Sequence, residues 1–438
     1  MHYQSLSELT HQHKSGRPLG IYSVCSANPY VVTAAIQQAQ SDDSLLLVEA
    51  TSNQVDQFGG YTGMRPPDFI NFVGKIAREV GFQEDRIIFG GDHLGPNTWQ
   101  DLPAAQAMKN SRDLVAEYVE AGFGKIHLDT SMRCADDPAG ALDPDIVAAR
   151  AADLCEVAEK SIPASDATGP VYVIGTEVPI PGGSHENFEE LVPSSASDVA
   201  QTIAIHEELF AQKGLNAAWD RVIAVVAQPG VEFGSDFIDE YDSAKARPLV
   251  KLIESYDSLL FEAHSTDYQL ASGLRQLVVD HFAILKVGPQ LTYALRESIL
   301  ALAHIEVELL TLNPKWTGSN IKSIIQSAMN SEPKYWQKHY PEDNSRHQYD
   351  QFFSLSDRIR YYWPVEMIQN ALNQLIQNLS SREIPLALLS QYLPIEYGLI
   401  REGRLQNHPV AIMHAKVRAV LETYAKACGV HKPIAGDY

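Results

Sequence analysis

Apolar residues in the first 311 positions of this chain fall into short runs, each followed by a longer segment whose apolar side chains recur at helical spacing. The run Ser44-Leu-Leu-Leu-Val-Glu-Ala50 lacks polar alternation, as expected of a strand covered on both faces of a parallel sheet. Similar runs lie at 20–28, 86–90, 125–130, 171–177, 221–227, 258–264 and 282–287. The spacing between and after them predicts helices over 30–40, 67–80, 104–121, 144–160, 197–213, 249–255, 272–280 and 293–310. Eight such alternations, with helical crossovers that make neighbouring strands parallel, predict an α/β fold of the (β/α)8 TIM-barrel class over 1–311. Residues 312–438 keep a helical pattern, as at 368–379 and 410–428, with loops marked by Pro341, Pro364, Pro385 and Pro394. They read as a helical extension packed on the barrel.

Chemistry in such a barrel is carried at the carboxyl ends of the strands. The first two predicted strands end near Ser26 and Asn28, and near Glu49, Ser52 and Asn53. The third ends in Asp92-His93, the fourth in His127 and Asp129, the fifth in Glu177 and the sixth in Gln228. The last two bring Glu262, His264 and Asp267, then Lys286. Gly90, Gly91 and Gly95 flank the Asp-His pair, and their lack of side chains is expected to leave room for a ligand.

A divalent metal, with zinc as first choice, is the economical way to hold His93, His264 and Glu177 together. With an open position it would polarise a sugar carbonyl. Asp92 is the candidate acid/base, with Glu177 and Lys286 as further catalytic candidates, yet adjacent residues on a regular strand point to opposite faces. Asn53, Asp129 and Gln228 stand as substrate-binding candidates. Structural alternatives remain beside these: His127 reads more simply as a satisfied barrel histidine, and Glu49 and Glu262 as ion partners of Lys286.

The loop 52–65 holds three glycines before Arg65, which suits either a phosphate-covering lid or a plain glycine-rich turn. Residues 356–364 join two arginines to three aromatics; Arg358 or Arg360 would reach a phosphate at the barrel mouth, or the cluster anchors the extension by packing. The chain contains no G-x-x-x-x-G-K-[ST] segment, which argues against a P-loop kinase.

The formal net charge of −21, from 34 Lys plus Arg against 55 Asp plus Glu, disfavours nucleic acid and anionic membrane surfaces as partners. A phosphorylated ligand therefore needs a local basic pocket. Cys25, Cys134, Cys155 and Cys428 are widely spaced without a C-x-x-C pair, the pattern of a reducing compartment rather than a disulfide framework. With no apolar leader and no membrane-length run, a cytoplasmic location is expected.

The segments VCSANP, EATSNQVDQFGGYTGM, GGDHLGPN, KIHLDTSM, FEAHSTDYQ, HFAILKVGP, DRIRYYWP and SQYLP resemble the GatZ/KbaZ family, the Z subunits of class II D-tagatose-1,6-bisphosphate aldolases, from about Cys25 to Pro394. The resemblance implies a cytoplasmic bacterial protein of galactitol or N-acetylgalactosamine catabolism, by way of tagatose 6-phosphate. It further implies an accessory, chaperone-like subunit that raises the activity and stability of a catalytic Y subunit and is not itself an aldolase when alone. By the likeness to class II aldolase barrels, Asp92 matches the acid/base, His93 the first zinc ligand and His264 a later one. At the sixth strand those barrels carry a histidine where this chain has Gln228, and since Gln is a poor zinc ligand the resemblance points instead to another carbonyl chemistry on a phosphorylated ketose, such as epimerisation.

Overall fold

The computed structural model describes residues 4–166, 168–175, 191–340 and 344–432. Eight strands, β1 (Ile21–Val24), β2 (Leu46–Thr51), β3 (Ile87–Leu94), β4 (Lys125–Leu128), β5 (Val171–Ile174), β6 (Val222–Val226), β7 (Leu260–Ala263) and β8 (Phe282–Val287), close into one barrel. Every neighbouring pair is parallel, and β1 closes the ring by pairing with both β2 and β8. The (β/α)8 fold expected from the alternation of apolar runs and helical segments is therefore present. Aliphatic side chains of the strands and the inner helix faces form one continuous core, because strands covered on both faces have no solvent side to make polar.

Three boundaries differ from expectation for local reasons. The helix expected at 249–255 spans Ser243–Glu254: Asp242 caps it by accepting from the Ala244 N–H, and Pro248 is tolerated inside its second turn. The helix expected from 293 starts four residues earlier, at Pro289, because proline suits a first helical turn where its missing N–H is not needed. Strand β3 continues through Asp92 and His93 to Leu94, so the pair lies on the strand and not in the loop beyond it.

The C-terminal region is helical, including Glu366–Ser380 and Pro409–Ala427. The latter helix lies against the barrel helices Pro29–Asp42, Ala271–Val279 and Pro289–Leu310. Its Tyr424 hydroxyl donates to the Thr266 carbonyl at 2.8 Å, which ties the region to the loop after β7. All four cysteines are free thiols. Among the described residues no helix is long and apolar enough to cross a membrane.

Candidate functional site

The site is built around an irregularity in β3. Gly91 pairs with Ile126 and Leu94 with Leu128, so β3 spends three residues where β4 spends two. His93 accordingly takes a left-handed backbone, φ 50°. A bulge of this kind re-aims side chains, and here it lets adjacent residues, Asp92 and His93, reach the same cavity. The cost of a left-handed non-glycine residue, roughly 1–3 kcal/mol, persists only where surroundings enforce it. The His93 main-chain N–H is 3.3 Å from His127 Nδ1, and its ring Nδ1 is 2.8 Å from Asp129 Oδ2.

The flanking glycines make room for protein and not for a ligand. A Cβ on Gly90 would stand 2.5 Å from Glu49 Cγ, and one on Gly95 would stand 1.7 Å from the Asp129 carbonyl oxygen. The close approach of Gly95 is what brings Asp129 behind His93.

Beneath the pair, residues two apart on a strand share a face, which turns Lys125 and His127 of β4, and Glu262 of β7 with His264 just beyond its end, toward the barrel interior. Four charges close a ring there. Lys125 Nζ is 2.8 Å from Glu49 Oε1 and 2.6 Å from Glu262 Oε2; Lys286 Nζ is 2.5 Å from Glu49 Oε2 and 3.5 Å from Glu262 Oε1. Lys286 also reaches Asp92 Oδ1 at 2.8 Å. Glu49 and Glu262 thus partner Lys286, as the structural alternative had it.

The electrostatics follow from this arrangement. Burial would raise the Asp92 carboxyl, but the charges of His93 and Lys286 and the His127 hydrogen bond hold it well below the usual carboxylate range. Burial would discharge Lys286, yet Asp92 foremost, with Glu262 and Glu49, holds it well above the usual lysine value. Burial likewise opposes a charged His93, but Asp92 and Asp129 outweigh it and lift the ring to about 8. His264 goes the other way: burial pushes it down to about 4 against the pull of Glu262, leaving a neutral imidazole.

Asp92, His127, Glu262 and His264 bring one ligand atom each to within 4.8 Å of one another. The His93 ring borders this group, 4.9 Å from His264 and 5.1 Å from His127 between centroids. Glu49, Asp92, Asp129 and Glu262 face Lys125, Lys286 and the charged His93 ring, four carboxylates against three cations, so the cluster carries a small excess of negative charge. Imidazole and carboxylate donors with such an excess fit a divalent cation. Asp129 fixes His93 through Nδ1, which leaves Nε2 as its ligand atom, and Glu262 contacts His264 Nε2 at 3.0 Å and orients that ring.

A cavity of about 200 Å³ opens over the cluster; Asn53, Asp92, His93, His264 and Lys286 line it, with Tyr61, Arg360 and Tyr361 above. Arg360 and Tyr361 come from the short 3-10 helix Arg358–Tyr361 of the C-terminal region. Other predicted residues lie elsewhere. Asp129 stands behind His93, where its other oxygen accepts from Ser131. Gln228 is buried and pins its own turn, accepting from the Gly230 and Val231 N–H groups at 2.8 and 2.9 Å. Arg65 is surface-exposed and pairs with Glu117 at 2.7 Å, away from the cavity. Arg358 is buried, with Nη2 2.8 Å from His339 Nδ1, and it is Arg360 that reaches the mouth. Glu177 lies outside the described residues. His127, marked in the sequence by its place on an inward-facing strand end, has Nδ1 3.0 Å from Asp92 Oδ1 and Nε2 2.9 Å from the Gly175 carbonyl, so both ring nitrogens have protein partners, the arrangement of the barrel histidine that the sequence offered. Tyr61 and Tyr361 carried no comparable mark.

Fold and site together define a (β/α)8 barrel whose strand ends gather three imidazoles, several carboxylates and a lysine about one cavity. The chain belongs to the D-tagatose-1,6-bisphosphate aldolase subunit GatZ/KbaZ-like family, whose sequence profile matches residues 6–429, and is thus a protein related to tagatose-bisphosphate aldolase. It is similar to a probable tagatose 6 phosphate kinase from Sinorhizobium meliloti 1021, with 42% identity and a TM-score of 0.86 over 93% of this chain and 100% of that one. More distant structures include a fructose-bisphosphate aldolase from Campylobacter jejuni (11% identity, TM-score 0.45, 86% of this chain and 92% of that one). Another is the YdjI aldolase from Escherichia coli K12 (10% identity, TM-score 0.39, 86% of this chain and 97% of that one).

Proposed function

We propose that this chain carries out metal-dependent carbonyl chemistry on a phosphorylated ketose at its own barrel site, as an epimerase or a lyase. The observation that carries this reading is the buried group of Asp92, His127, Glu262 and His264, which draws its ligand atoms within 4.8 Å and is bordered by His93. Even paired, buried charges cost desolvation that apolar side chains would not, and a helper chain without chemistry has no need of them beside an open cavity.

His93 and His264, with a carboxylate of the cluster, would hold the cation; zinc suits these donors, and Glu177 remains a proposed further ligand or catalytic group. When bound, the cation supplies Lewis-acid polarisation of a carbonyl. The chain's own residues do the rest. Lys286 and His127 engage Asp92 Oδ1, leaving Oδ2 as the oxygen that accepts and returns a proton. Asp129 holds the His93 ring in one orientation, and Asn53 stands at the cavity wall to orient hydroxyls. Arg360, Tyr61 and Tyr361 cover the mouth and limit water.

The test is metal analysis of the purified protein, then incubation with tagatose 6-phosphate and fructose 6-phosphate. Turnover that depends on added metal and vanishes in Asp92→Asn is expected. No turnover of either sugar after metal addition refutes the reading.

The family's description as an aldolase subunit supports a second role: association in the cytoplasm with a catalytic Y subunit of tagatose-bisphosphate aldolase, whose activity and stability this chain would raise in galactitol or N-acetylgalactosamine breakdown. Co-expression with such a subunit tests it. A partner that gains neither activity nor thermal stability excludes it.

A further inference from the structure

A second cavity, of about 270 Å³, adjoins the first, and Tyr61 and Arg360 line both. Ser26, Asn28 and Trp363 are among its other walls, and no carboxylate lines it among the described residues. In a chain with 55 acidic residues against 34 Lys plus Arg, a chamber whose one charged wall residue among those described is an arginine selects anions.

Three donors converge on this lining. Among the described residues the Arg360 guanidinium hydrogen-bonds neutral acceptors: the Ser356 carbonyl, the Asp357 carbonyl at 3.2 Å and the Tyr361 hydroxyl at 3.2 Å. No described carboxylate hydrogen-bonds it, and Asp357 and Asp267 act on its charge only from a distance. Trp363 is 2% exposed, and its indole Nε1–H has no acceptor among the described residues. A buried indole N–H ordinarily finds a partner, so an acceptor entering this chamber removes a standing cost. Ser26 Oγ accepts from the Asn28 N–H at 3.2 Å, which leaves its own hydrogen to donate.

We propose that this second chamber binds the phosphate of the ketose phosphate, with Arg360 as the charged clamp and the Trp363 indole N–H and Ser26 hydroxyl as neutral donors. The inference rests on the reading of the first cavity as a ketose-phosphate site and names where the phosphate end goes. The sugar carbonyl then lies at the Asp92–His264 cluster and the chain of carbons passes between Tyr61 and Arg360. The specificity is for a phosphorylated over a free ketose.

The full-length protein, stripped of metal by a chelator, is titrated with inorganic phosphate by calorimetry. Wild type is expected to bind saturably, Arg360→Gln at least tenfold more weakly, and Trp363→Phe, which removes the N–H with the pyrrole half of the indole and keeps an aromatic ring, several-fold more weakly. Fructose 6-phosphate should compete with phosphate, and fructose should not. If Arg360→Gln fails to fold, Arg360→Lys, which keeps the charge but loses the two-pronged geometry, must still weaken binding. Absence of saturable binding to wild type, or unchanged affinity in the folded Arg360 and Trp363 variants, overturns the inference. A protein that turns over no ketose phosphate yet shows this phosphate site fails the proposed function and keeps the inference; turnover of sugars without any phosphate binding does the reverse.

Discussion

The Lys286 ammonium stands 2.8 Å from Asp92 Oδ1 while also contacting Glu49 and Glu262, so one side chain couples the candidate proton carrier to the ring of ion pairs inside the barrel. Removing one member of a buried network leaves its partners charged and dry, at a cost of about 3–5 kcal/mol. Lys286→Met should lower stability to urea by that order, and Lys286→Arg, which keeps the charge, should lose less. Equal stability of Lys286→Met and wild type would show that the ring is not formed.

Asp129 acts on His93 and not on the cavity, since Nδ1 of the ring meets its Oδ2 at 2.8 Å. Loss of an outer partner of a metal-binding histidine typically costs about 10–100-fold in metal affinity. Asp129→Asn should show that weakening in a zinc or manganese titration with its circular dichroism unchanged. An affinity equal to wild type would mean that His93 does not hold the metal.

Acid should destabilise the fold through histidines buried in neutral form. Burial pushes His206 down from 6.5 to about 4, the Thr202 carbonyl opposing, and pushes His13 down to about 4, the Leu19 carbonyl opposing. Because the folded-state values are depressed, these groups contribute fully above 6.5. The contribution of each histidine fades as pH falls from 6.5 through about 4, by roughly 1.4 kcal/mol per pH unit. His206→Leu cannot take up a proton, so its unfolding free energy should gain on wild type steadily between pH 6.5 and 4. A constant difference between the two proteins across that range would contradict this.

The two arginines offered by the glycine-rich loop and the C-terminal region should separate cleanly. Arg65 pairs with Glu117 on the surface, and exposed pairs contribute about 0–1 kcal/mol. Arg65→Ala should therefore shift stability by less than about 1 kcal/mol and leave KM for a ketose phosphate unchanged, whereas Arg360→Gln should raise it. A large KM effect from Arg65→Ala would place the loop over the substrate after all.

Much of this molecule was readable before folding was considered. The apolar run ending in Glu49 or the sequence Glu262-Ala-His264 is a local pattern, and strand and helix periodicities are local properties of the chain. The same holds for the count of eight alternations, hence the barrel, and for Asp92, His93, His264 and Lys286 as strand-end groups. Tertiary structure decided what those groups do to one another. Lys286 and Glu49 are 237 positions apart, and only closure of the ring makes them partners. The bulge that turns Asp92 and His93 to one side arises from the pairing of β3 with β4, which a regular alternation of faces does not foretell. The glycines around them prove to be spaces for Glu49 and the Asp129 main chain, an approach made by other strands. Between Arg358 and Arg360, two residues apart in one motif, the choice fell to the way a short 3-10 helix lies on the barrel mouth, because the direction of a side chain there is set by packing between distant segments and not by its neighbours in sequence.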